Sequence, residues 1–210
     1  MSQLHLETLI PEATELFPKL AAFKKEFYLA GGTALALQLG HRVSVDFDLF
    51  TPQPIKKTLL PMVESVFSVP VSNVLVNSSS ELSLIVGGVK CTFLEYPFAV
   101  LLPLQEGEPV DLLSAKEILA TKAYSIGRRG SFKDYVDLYV GLRESVASLG
   151  EIIELAKRKY EDAFNDRLFL EQLLYLDDVD EITLLMRSGQ QPTKQLILDF
   201  FTKAIVQLKL

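Results

Sequence analysis

The sequence predicts an α+β fold, with a small mixed sheet flanked by helices and a helical bundle after it. Three observations predict it. Short runs of β-formers bounded by Gly, Ser and Pro all fall before residue 97. From Ser114 onward, apolar residues recur at helical spacing. The change of pattern near residue 113 is the one candidate boundary, giving an expected core of 1–113 and a helical subdomain of 114–210. At 49% apolar and 23% charged residues over 210 positions, the chain is rich enough in apolar surface to fold.

Residues 12–25 have helical spacing, with Pro18 as a kink or break because it lacks an N–H. FYLA (27–30) is a short strand that ends on Gly31-Gly32. TALALQLG (33–40) is helical and closes on Gly40, a natural C-cap. SVDFDLF (44–50) alternates as a strand does. Residues 55–68 are helical, with Pro61 either an internal break or a late N1 position. Strands are expected at 71–76, 82–87 and 90–96, the last two joined at Gly87-Gly88, a two-residue turn that needs positive φ. Helices follow from Ser114 to about Gly127, with Ser114 and Glu117 spaced as a capping box. Four more are expected at 131–143, 148–163, 166–175 and 193–208.

Composition excludes several functions. The net charge of −6 argues against coating nucleic acid non-specifically, which is driven by neutralising phosphates. One cysteine, Cys91, excludes an internal disulfide and a multi-Cys zinc site, and two histidines, His5 and His41, exclude a His-rich metal site. A metal here is a hard cation held by carboxylates. The acidic N-terminus lacks the features of a signal peptide and no apolar run is long enough to span a bilayer, so the expected location is the cytoplasm. His41 is expected at the surface or as a helix cap, and Cys91 as a buried apolar residue.

Three features carry chemistry. Gly31-Gly32-Thr33 between a strand and a helix lets the backbone turn sharply and offers N–H groups at a helix N-terminus, a phosphate-binding arrangement that is also a common turn. Asp46 and Asp48 alternate with Phe47 and Leu49, so the two carboxylates share one strand face, about 7 Å apart at Cα, within reach of one pair of cations. Lys122 sits late in one helix, while Lys133, Asp134 and Asp137 open the next, with Arg128 and Arg129 between them as the densest basic cluster of the chain. Asp134 and Asp137 share a helix face, where acids also occur for dipole reasons alone.

LAGGTALALQLGHRVSVDFDLF (29–50) resembles the signature of the polymerase-β-type nucleotidyltransferases, most closely the toxins of bacterial abortive-infection systems of AbiEii/AbiGii type. The stretch from Lys122 through Arg129-Gly130-Ser131 to Lys133-Asp134-x-x-Asp137-Leu138-Tyr139 is similar to that family's later motif, so the resemblance spans about residues 25–142. It implies Mg²⁺-dependent transfer of NMP from an NTP to a hydroxyl of RNA, such as tRNA, or of protein, and a cognate antitoxin as partner. Asp46 and Asp48 would hold the metals, and the backbone and hydroxyl of Gly31, Gly32 and Thr33 would cradle phosphates. Lys122 would contact the nucleotide phosphates, with Arg42, Arg129 and Lys133 as further phosphate contacts, and Asp134 would be catalytic or orient the acceptor.

The pattern departs from the family at one place. A third carboxylate is expected near Thr92 on a neighbouring strand, and Thr92 is neutral. Glu95 falls on the opposite strand face unless a bulge rescues it, and Glu81 is a further candidate. Three readings follow: Asp134 substitutes, the second metal is weakly held, or turnover has been lost. The alternative function is therefore a degenerate relative that binds nucleotide or a partner without turnover. A small-molecule nucleotidyltransferase would share the same core.

Overall fold

The structure is a computed structural model and describes residues 4–187 and 189–208, except for the side chain of Arg129. The chain divides into two compact units, Met1–Ser114 and Ala115–Leu210.

The first unit opens with a 3-10 turn (Leu6–Thr8) and α1 (Pro11–Leu16), which passes into a 3-10 helix at Phe17–Phe23. The change falls where Pro18 cannot donate the next α-helical hydrogen bond. Then come β1 (Tyr28–Ala30), α2 (Gly31–Leu39), β2 (Phe47–Thr51), α3 (Leu59–Phe67), β3 (Val71–Asn77), β4 (Glu81–Val86) and β5 (Val89–Glu95). Gly40 caps α2 with φ 65°, as its position predicted. Pro61 lies in the first turn of α3, where its missing N–H costs nothing.

The strands form one mixed sheet in the order β1-β2-β5-β4-β3, with β2 and β5 parallel and the other pairs antiparallel. Gly87 and Gly88 take φ 55° and 81° and close the β4–β5 hairpin with Val86 opposite Val89. One sheet face carries Phe47 and Phe93 into the core. Phe17 packs near Phe47, and Phe23 and Phe27 meet the Phe93 ring edge-on at 5.0 and 5.2 Å. This packing orients the opposite face, on which the residue between Phe47 and Leu49, Asp48, must lie.

The second unit is helical: α4 (Ala115–Arg129), α5 (Phe132–Arg143), α6 (Leu149–Tyr160), a 3-10 turn (Glu161–Ala163), α7 (Asp166–Leu173) and α8 (Lys194–Val206). α5, α6 and α7 all pack on α4. A Cβ on Gly141 would come within 2.5 Å of Leu119, so this glycine sets the close approach of α5 to α4. Lys159 Nζ donates to Glu117 Oε1 at 2.6 Å, with both side chains fully buried between α6 and α4.

α6 begins with a capping box in which Ser148 Oγ accepts from Glu151 N–H and the Glu151 carboxylate accepts from Ser148 N–H at 2.8 Å. Lys116 Nζ donates to the same carboxylate at 2.6 Å. Lys116 first, and the Ser148 hydrogen bonds after it, pull the Glu151 pKa from 4.5 down to about 2. A carboxyl with a depressed folded-state pKa stabilises the fold fully above its unfolded value, and that contribution is lost as pH falls toward the folded value. Glu151→Gln is therefore expected to lower the melting temperature near neutral pH, with the difference from wild type shrinking as the pH nears 2. A pH-independent difference would show that the charge of Glu151 is not what stabilises this cap.

Candidate active site

The geometry starts at the end of β1. Ala30, opposite Asp48 in the β1–β2 ladder, is the N-cap of α2. It has no side-chain acceptor, and the first N–H groups of a helix have no carbonyl within it. Gly31 has φ +67°, and a Cβ built there would lie 2.2 Å from Asp48 Oδ2. The space a side chain would occupy at Gly31 is filled by the Asp48 carboxylate. The strand, the glycine bend and the acid therefore meet at one point, and a helix N-terminus with its positive end lies there too.

β2 starts at Phe47, so Asp46 lies in the lead-in and Asp48 in the strand itself. The alternation holds through both: Phe47 and Leu49 are fully buried, while Asp46 and Asp48 are partly exposed. Both carboxylates are near enough to act on Cys91, the partner of Phe47 on β5. Burial first, then the charges of Asp46 and Asp48, push the Cys91 thiol up to about 12. Cys91 is a buried free thiol, as expected.

Thr33 behaves differently from the phosphate-cradling role expected of its hydroxyl. The side chain is buried, its Oγ1 lies 2.8 Å from Ser44 Oγ, and it donates to the Asp46 main-chain carbonyl. The hydroxyl ties α2 to the segment carrying the first aspartate, which leaves the N–H of Thr33 as its group for a ligand. Thr33→Val keeps the shape and strands a buried acceptor, so it is expected to cost about 1–3 kcal/mol, measured by denaturant unfolding. An unchanged unfolding midpoint would discard this tie. Ser44 lies in the 29–50 string that carries the family resemblance, but the bond its hydroxyl makes to Thr33 is not legible in the sequence.

In the position where a third acid is expected, Thr92 pairs with Asp48 across β2–β5 and with Ser83 across β4–β5, and its Oγ1 lies 3.0 Å from Ser83 Oγ. Both ladders run without a register shift, so no bulge brings Glu95 to this face; it pairs with Thr51 instead. Glu81 shares the Thr92 face but lies on β4, separated from β2 by β5, and opposite Leu94. Ser83 was legible in principle: counting back three residues on each side from the Val86–Val89 pair places it opposite Thr92.

In the helical unit, Lys122, Asp134 and Asp137 form one buried cluster. Lys122 Nζ lies 2.6 Å from Asp134 Oδ1 and 3.0 Å from Asp137 Oδ2, and the three side chains are 8%, 1% and 0% exposed. The i, i+3 spacing predicted that the two acids share a face, and the structure turns that face onto Lys122. Lys133, beside them, is partly exposed. Arg42 is buried, with Nη1 donating to the Val43 carbonyl at 3.1 Å. The Arg129 side chain, another expected phosphate contact, lies outside the described residues. His41, expected at the surface or as a cap, is buried at 6% exposure.

No group of three or more His, Cys, Asp or Glu placed to hold a metal occurs among the described residues. Asp46 and Asp48 still fit Mg²⁺, which takes one or two protein carboxylates and fills the rest of its shell with water and substrate phosphates. Among the described residues no helix is long and apolar enough to cross a membrane.

Comparison with known proteins shows the family and the fold. The family described as "Nucleotidyl transferase AbiEii toxin, Type IV TA system" matches residues 16–203. A protein of Aquifex aeolicus (strain VF5), aq_aa25, is 32% identical over 158 residues, covering 74% of this chain and 76% of its own. Among solved structures, MenT4, a nucleotidyltransferase toxin of Mycobacterium tuberculosis H37Rv, superposes with a TM-score of 0.60 at 17% identity, covering 98% of this chain and 88% of that one. JHP933 of Helicobacter pylori gives 0.54 at 18% identity, covering 93% and 88%. These two structures share the fold. The family match spans both the glycine–aspartate geometry and the helical motif, and on that ground the chain belongs to the AbiEii nucleotidyltransferase toxin family.

Proposed function

We propose that this protein moves NMP from an NTP to a hydroxyl of RNA, with tRNA the first acceptor to test, or of protein, and that it does so with Mg²⁺ as the toxin of a toxin–antitoxin pair in the cytoplasm. The observation that carries the reading is the Asp48 carboxylate lying against Gly31 at the start of α2. A helix N-terminus with first-turn N–H groups favours phosphate, and the adjacent acid supplies the oxygen ligand for the cation that accompanies a triphosphate.

When bound, Mg²⁺ would neutralise charge developing on the phosphoryl oxygens. The chain's own part is positional. Asp46 and Asp48 would hold the cation, the N–H groups of Gly31, Gly32 and Thr33 would hold phosphate oxygens, and the buried core beneath β2 fixes the acids in place. The family resemblance assigns Lys122, Arg42, Lys133 and Arg129 to phosphates and Asp134 to the acceptor. Lys122 and Asp134 are paired at 2.6 Å and are 8% and 1% exposed, so in these roles the ligand would have to reach them within that cluster. In this reading a cognate antitoxin is the expected protein partner.

The test is incubation of the purified protein with each radiolabelled NTP, Mg²⁺ and total tRNA or cell protein, beside an Asp46→Ala/Asp48→Ala variant. Label on a macromolecule from wild type alone, lost with chelator, is the expected result; absence of label with all four NTPs overturns the reading. Thr92 beside Asp48 favours a second reading, nucleotide binding without turnover, because a hydroxyl is a weak replacement for an anionic ligand. Calorimetric NTP binding with no product would select it.

A further inference from the structure

We propose that β3 is a pairing edge for a second copy of this chain, the two β3 strands joining antiparallel across a twofold axis into one continuous sheet. The inference is independent of the chemistry at the aspartates. Among the described residues β3 ends the strand order and pairs with β4 alone, so one row of its N–H and C=O groups points outward. At the other end of the sheet, β1 has three residues, and Leu29 bridges to Leu112 along its far side.

An open edge invites pairing, and proteins usually blunt it with charge, proline within the strand, a β-bulge or a covering segment. Val71–Asn77 contains neither charge nor proline, and no charged residue occurs anywhere between Glu64 and Glu81. Val74, Leu75 and Val76 are consecutive and 40%, 47% and 38% exposed. Three successive exposed apolar side chains on an uncovered edge mark a surface that is covered in use. Two register shifts, at Val71/Asn73 and Val74/Val76, twist the strand and limit how many residues can pair, but they leave the run uncharged.

The charge pattern favours a second copy as the occupant. Each copy carries −6, so most faces of two copies repel, and an interface between them needs a neutral surface. β3 and its flanks, from Ser65 to Ser80, supply one. A partner chosen for opposite charge would gain nothing there. An edge is also self-complementary: an antiparallel strand pair satisfies the same donors and acceptors on both sides, as a twofold axis requires. With the axis at the middle of the strand, Val74 faces its own counterpart, and the two ends, Val71 and Asn77, face each other.

The test is measurement of molar mass by light scattering of the full chain from low to high micromolar concentration. A concentration-dependent dimer is expected, and Val74→Lys, which sets like charges opposite each other at the axis, is expected to weaken it by roughly tenfold or more. Circular dichroism and melting temperature check that the variant folds. If it does not, Val74→Cys replaces it. Under mild oxidant this variant should give a disulfide-linked dimer, while Val100→Cys, exposed elsewhere, should not; Cys91 is buried and does not interfere. A monomer at every concentration overturns the proposal, and so does a dimer that Val74→Lys leaves intact or that Val74→Cys fails to link.

Discussion

Asp48→Asn is expected to reduce nucleotide transfer by about 10²–10³-fold while leaving the melting temperature close to wild type, a size typical of losing one preorganised electrostatic group. The side chain keeps its shape and loses its charge, so the space against Gly31 stays filled and the cation loses an anionic ligand. Gly31→Ala should reach a similar loss by another route. Its φ of +67° is unfavourable for any residue with a Cβ, and the added atom would collide with Asp48 Oδ2. It should therefore lower stability as well as activity. Transfer of label from NTP together with thermal melts separates the two. An Asp48→Asn protein with full transfer would remove Asp48 from the reaction, and with it the proposed role of the aspartate pair as cation ligands.

The second large effect is on stability. Lys122→Met leaves Asp134 and Asp137, both essentially fully buried, without the ammonium that lies 2.6 and 3.0 Å from their oxygens. Removing one partner from a buried ion cluster costs about 3–5 kcal/mol, because the remaining charges are desolvated and repel each other. Urea unfolding without nucleotide measures this separately from any effect on catalysis. Replacing the acids as well, in Lys122→Met/Asp134→Leu/Asp137→Leu, should recover much of the loss, since well-packed apolar residues often do as well as a buried ion cluster. An unchanged midpoint for Lys122→Met alone would show that the cluster does not support the helical unit.

Much of the local structure is legible in the sequence. Pro18 ended the α-helix, Gly40 capped α2 with positive φ, and Gly87-Gly88 closed the β4–β5 hairpin. Each rests on backbone sterics within a few residues. The same hairpin implied Ser83 opposite Thr92 by counting, a step that needs the register and nothing else. The strand at 44–50 began three residues late, at Phe47, because its lead-in is occupied with other bonds: Ser44 N–H donates to the Thr8 carbonyl, and the Asp46 carbonyl accepts from Thr33.

By itself the sequence determined the kinds of element, the alternation of Asp46 and Asp48 with the buried Phe47 and Leu49, and the shared face of Asp134 and Asp137, since strand and helix periods act over neighbouring residues. Tertiary structure decided what each of these faces meets. It set Asp48 into the space left by Gly31, turned the Thr33 hydroxyl inward, buried His41, and placed Lys122 between two acids. Those outcomes depend on desolvation and on contacts between segments distant in the chain, which no local period encodes.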